Sequence, residues 1–80
     1  MPREPMISWT IYDHPRDFPH CYVARAFSID GNEEPTPTDS IIILPSLEAV
    51  DALRETFASM GLVRWPRQDD DDSVIMEVWL

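Results

Sequence analysis

SLEAVDALRETFASMG, Ser46 to Gly61, is the stretch on which the fold turns. Ser46 has the side-chain oxygen that suits a helix N-cap, and Gly61 can take the left-handed conformation that closes a helix, so the segment predicts a helix from Leu47 to about Met60. Leu47, Val50, Leu53, Phe57 and Met60 recur at intervals of three, three, four and three residues, which gathers them into one apolar stripe. A stripe of that kind must be covered, and the rest of the chain must supply the cover. At about 100° per residue, Glu48, Asp51 and Glu55 fall on the opposite side as an outward acidic ridge.

The flanking sequence reads as strands. Ile7, Trp9 and Ile11 alternate with Ser8, Thr10 and Tyr12; DHPRDFPH, with Pro15 and Pro19, must then be a loop. Cys21 to Ile29 predicts a second strand, with Cys21, Val23, Arg25, Phe27 and Ile29 on one side and the smaller Tyr22, Ala24, Ala26 and Ser28 set on the other. Asp30-Gly31-Asn32 is turn chemistry, and EEPTPTDS prolongs it as an acidic, extended connection. Ile41 to Leu44 predicts a short buried strand before the helix. After it, Leu62 to Trp65 and Val74 to Leu80 predict a closing hairpin, with RQDDDD, residues 67 to 72, in its connection. The order β-β-β-α-β-β predicts an α+β domain: a small antiparallel sheet with one helix packed on one face. Residues 1 to 6 are expected to be a loose end and 7 to 80 a single domain.

Eighty residues lie near the lower limit for a single core without disulfides or metal, which disfavours multi-step chemistry. An apolar content of 44%, with three Trp, three Phe and two Tyr, nevertheless argues for a folded chain and against an acidic disordered tail. A lone cysteine, Cys21, rules out an intramolecular disulfide, and the absence of a charged and apolar leader pattern predicts a cytoplasmic protein, in the host cell if phage-encoded. IIIL at 41 to 44 falls far short of the roughly 20 apolar residues of a membrane span, so no membrane role is expected.

The net charge of −9 is unevenly placed. Residues 1 to 29 carry three acids and three bases, whereas residues 30 to 80 carry twelve acids against Arg54, Arg64 and Arg67. Phosphates would meet like charge on such a chain, so direct nucleic-acid binding is disfavoured and the expected partners are basic.

Three groups of residues bear on chemistry. Asp69, Asp70, Asp71 and Asp72 lack the alternate spacing, central Gly and distal Glu of an EF-hand loop, which leaves a solvated connection or an interaction surface. His14, His20 and Cys21 lie near one loop, the minimum for thiolate catalysis or a zinc corner, but no common fourth ligand spacing or glycine-rich oxyanion turn accompanies them. Trp9, Trp65 and Trp79 would stack bases only beside a basic groove, and the chain has no lysine; one or two of its aromatics are expected to be exposed to a partner or a second subunit. The acidic ridge adds a further clue. Glu48 and Asp51 are explained by the helix macrodipole, but Glu55 lies toward the end that disfavours anions and repels Asp51. Carboxylates at rises of about 4.5 and 6 Å along a helix, with aspartates about 3.3 Å apart along an extended run, approach the phosphate spacing of about 3.4 Å per DNA strand. Such a surface can imitate a nucleic acid.

The segments WTIYDHPRDFPH and GLVRWPRQDDDDSVIMEVWL are similar to those of short bacterial and prophage proteins. In size, acidity and α+β character the chain resembles the small acidic phage and prophage proteins of the anti-CRISPR kind, which block a type I CRISPR surveillance complex. That resemblance covers general character and transfers no residue role. The function it implies is a non-enzymatic inhibitor, without cofactor or metal, acting as monomer or weak homodimer. It would bind the basic surface of a nucleic-acid-handling partner, such as a CRISPR-Cas subunit, and the charge pattern, not the resemblance, points to Glu48, Asp51, Glu55 and Asp69 to Asp72 as the residues that would do so. The alternatives are a small enzyme or metal protein built on the His14, His20 and Cys21 loop, and a structural homodimer.

Overall fold

A computed structural model describes residues 6–30, 34–67 and 73–80. Along the chain run β1 (Met6–Asp13), β2 (Tyr22–Ile29), β3 (Thr36–Leu44), α1 (Leu47–Ser59), β4 (Arg64–Pro66) and β5 (Ile75–Trp79). The strands form one antiparallel sheet in the order β3-β2-β1-β5-β4, with the helix on one face, the α+β arrangement that the alternation and the helical stripe predict.

β1 lies at the centre, where both backbone edges are paired. Ile11 stands across from Ala24 on one side and Glu77 on the other, and Trp9 across from Ala26 and Trp79. The side of β2 with the smaller residues is therefore the one that faces the helix. Ala24 and Ala26 are buried there, and with little side chain above the strand the helix can come close enough to bring down Val50 and Phe57. The Phe57 ring meets Trp9 at 5.5 Å and Trp79 at 5.6 Å between centroids, both tilted. Burial of one such ring stabilises the fold by about 1.5–3 kcal/mol.

Both helix ends are closed as the sequence predicts. The Ser46 hydroxyl accepts from the Ala49 N–H at 3.3 Å, and Gly61 adopts φ +86°. With Gly61 left-handed, its N–H reaches the Ala58 carbonyl and the Leu62 N–H reaches that of Phe57, both at 3.1 Å. These two bonds are the Schellman pair, and they swing Leu62 onto the core beside Phe57.

Several boundaries and faces depart from expectation. β1 begins at Met6, one residue before the predicted domain start. β3 is not a short buried strand at 41 to 44 but a nine-residue edge strand in which only Leu44 is buried. Pro37 is tolerated because it sits on an edge, next to a register shift where the Thr38 hydroxyl donates to the Ala26 carbonyl at 2.9 Å and takes the Ser40 N–H at 3.1 Å. Pro66 likewise ends β4 on the opposite edge, one residue past the predicted end; both arms of the closing hairpin are nevertheless shorter than predicted, since β4 starts only at Arg64 and β5 spans Ile75–Trp79. Finally, the helical stripe is buried only in its middle. Val50 and Phe57 are covered and Leu53 is half-buried, but Leu47 and Met60, at the two ends of the stripe, remain 53% and 63% exposed. Among the described residues no helix is long and apolar enough to cross a membrane.

Candidate interaction surface

The outward face of α1 is set by what the inward face removes from it. Arg54, the helix's one base, is turned toward the sheet, where its Nε donates to Glu77 Oε2 at 3.1 Å and its Nη2 to Glu77 Oε1 at 2.6 Å. Glu77 is fully buried across from Ile11, and it also accepts the Trp79 indole N–H at 2.5 Å and faces Arg64 Nε at 3.3 Å. Burial alone would push the Glu77 carboxyl up. The hydrogen bonds from Arg54 and Trp79 and the charges of Arg54 and Arg64 outweigh that, and hold it below its ordinary 4.5. Arg54 is in turn held more firmly protonated, first by its hydrogen bond to Glu77, against the opposing cost of burial, and then by Asp51.

This leaves the solvent side of the helix to carboxylates. Glu48, Asp51 and Glu55 are all exposed, as the ridge predicts. The three are not equivalent, however. Asp51 is paired with Arg54 Nη1 at 2.8 Å, one turn away on the same helix, so its charge is partly compensated. Glu48 and Glu55 have no ion-pair partner among the described residues. Asp69, Asp70, Asp71 and Asp72 lie outside the described residues, so the helix supplies the part of the acidic surface whose geometry is defined.

The loop holding His14, His20 and Cys21 is organised around its own backbone. The His14 N–H donates to the Cys21 carbonyl at 3.1 Å, the Phe18 N–H to the Pro15 carbonyl at 2.9 Å, and the Cys21 thiol to the Phe18 carbonyl at 3.9 Å. His14 sits at φ +50°, its ring edge-on to Tyr22 at 4.8 Å and hydrogen-bonded to Asp13, while His20 is exposed. Asp17 pairs with Arg25 and so ties the loop to β2. Among the described residues no three His, Cys, Asp or Glu side chains are grouped to hold a metal ion.

The cluster of Arg54, Glu77, Arg64 and Trp79 is the feature that the sequence reading missed. One signal for it was present. In IMEVW, Glu77 is in phase with Trp79, a charge in the same alternating set as a large aromatic, and a buried carboxylate requires a cation. No protein-family model matches the chain, and no curated protein or solved structure matches it significantly.

Proposed function

We propose that this chain is a non-enzymatic, acidic interaction protein that occupies the basic, nucleic-acid-binding surface of a partner protein. The observation that supports it is the division of charge on α1: Glu48, Asp51 and Glu55 face solvent while Arg54 is drawn inward to Glu77. A helix that keeps its acids outward and its base inward presents carboxylates about 4.5 and 6 Å apart along its axis, within reach of side chains that otherwise grip phosphates. In this reading Asp69 to Asp72, which lie outside the described residues, also take part in the contact. The partner class suggested by the resemblance to anti-CRISPR proteins is a type I CRISPR surveillance complex, blocked at a subunit that grips nucleic acid.

The test is competition with nucleic acid for the purified complex. One variant carries Glu48→Gln, Asp51→Asn and Glu55→Gln; a second carries Asn at 69 to 72. The parent is expected to displace nucleic acid less well as salt rises, because attraction between charged faces is screened within about 8 Å at physiological ionic strength. Each variant is expected to lose affinity at low salt and to show a shallower salt dependence. Equal competition by the parent and both variants at every salt concentration would remove the acidic surface from the interface.

A further inference from the structure

The sheet has a second face, which no helix covers among the described residues. On it Ser8 and Thr10 form a narrow floor along β1, both nearly buried by their taller neighbours: Phe27 and Ile29 rise on the β2 side, Val78 and Leu80 on the β5 side. The groove between these walls has a volume of about 300 Å³, at the lower end of pockets that take a small ligand and roomy enough for an indole ring. Next to it stands a ridge of matching chemistry. Trp65 lies across from Val78 in the β4–β5 register, hence on the same face, and is 53% exposed. Val63 exchanges two backbone hydrogen bonds with Leu80 and is exposed beside it.

We propose that this face binds a second copy of the chain, the Trp65 ring of each protomer entering the groove of the other. Three observations select that occupant. First, groove and ridge lie side by side on one face, as a two-fold interface requires, since each subunit must offer both halves of every contact. Second, among the described residues no carboxylate lines the groove, and the exposed acids of α1 lie on the far side of the sheet. A chain of net charge −9 can approach its own copy through such a face while its acidic helices point away from each other. Third, the face offers area for a weak contact. Five strands about 4.8 Å apart, of eight, eight, nine, three and five residues at about 3.3 Å each, span roughly 500 Å² in plan before side-chain relief, in the range of small, transient interfaces. The two sheets then pack about 10 Å apart, as in a sandwich.

This proposal stands apart from the acidic-surface reading and has the opposite salt response. Apolar contact between two like-charged subunits tightens as salt screens their repulsion, whereas binding to a basic groove weakens. Sedimentation equilibrium of the full chain is expected to give twice the 9.3 kDa chain mass, with a dissociation constant that falls from low to high salt. Trp65→Ser and, separately, Val63→Glu are expected to raise that constant by about tenfold or more, since a central aromatic carries a large share of such an interface. Both positions are exposed in the single chain, and circular dichroism checks that each variant is folded. Leu47→Ser, exposed on the helix side, is the control and should leave the constant unchanged. A parent that stays at the chain mass up to about 1 mM, the limit of a contact worth about 4 kcal/mol, overturns the proposal. So does a dimer that both face variants leave intact, one that Leu47→Ser dissociates, or one that weakens with salt.

Discussion

On the helix side of the sheet β2 offers Ala24 and Ala26, and β5 offers Glu77 and Trp79; on the other side the same strands offer Phe27 and Ile29, and Val78 and Leu80. Residue size is thus inverted on β2 relative to the usual picture of a protein interior. Small side chains lie where a second layer presses down, because a helix can rest on alanine but not on a row of phenylalanines. Large ones line the groove on the other side, where Phe27, Ile29, Val78 and Leu80 stay partly exposed, although Val23 on that same side of β2 is fully buried. The charge is inverted on β5 as well. The fully buried carboxylate is on the covered side, where the helix brings Arg54 to meet it, and the uncovered side of that strand is aliphatic. A face is defined by what is set against it, and on these strands composition alone would name the wrong face as the inside.

The largest effect expected to test this contrast comes from the buried pair. Arg54→Met leaves Glu77 with Arg64 and Trp79 and removes two of its hydrogen bonds. Breaking a buried pair from one side costs about 3 to 5 kcal/mol, a large part of the roughly 4 to 12 kcal/mol available to a domain of this size. A urea titration should show most of that loss, and replacing both partners, Arg54→Met with Glu77→Leu, should recover much of it. An Arg54→Met midpoint equal to the parent's would mean that the covered side does not depend on its ion pair.

A smaller effect is expected from acid. Because the Glu77 carboxyl is held below 4.5 in the folded chain, its ionised form contributes stability that is fully present above that value. The contribution is lost as pH falls through the lower folded-state value. Urea midpoints measured downward from neutral pH should therefore hold until about 4.5 and then drop, and the drop should be shallower in Arg54→Met. An equal slope in the two proteins would assign the acid sensitivity to other carboxylates.

The smallest effect sharpens the contrast within the helix itself. Leu47→Ala is expected to change stability by less than about 0.5 kcal/mol, as at other exposed positions, whereas Phe57→Ala should cost about 3 to 5 kcal/mol. Thermal melts of the two variants check the difference. A Leu47→Ala melt displaced as far as that of Phe57→Ala would mean that the first turn of the helix is covered as fully as its middle.

What the sequence could tell follows the same division. Ser46, Gly61 and the apolar period between them marked the helix to within a residue, because caps and period are local properties. The alternation of β1 and β2 was equally local. The burial of Leu47 and Met60 was misjudged because it depends on what distant segments of the chain set against the helix ends. The full length of β3 escaped notice because prolines usually end strands, and only the sheet order shows Thr36–Leu44 to be an edge, where Pro37 is admissible. At the candidate surface, the exposure of Glu48, Asp51 and Glu55 was legible from helical phase. The pairing of Asp51 with Arg54, an i, i+3 contact on one helix, was open to the same local reading, whereas the withdrawal of Arg54 that leaves the ridge acidic required knowledge of a carboxylate twenty-three residues away on a strand.

The position of β1 between β2 and β5 also has a kinetic side. Its pairing with β2 closes a short loop, but Trp9 meets Trp79 only when chain segments seventy residues apart come together. The entropy of closing so long a loop must be met before the Phe57 ring has both indoles to rest on. The β1–β5 seam is therefore the pairing among the described strands with the longest loop to close, a non-local contact of the kind that slows the folding of small domains.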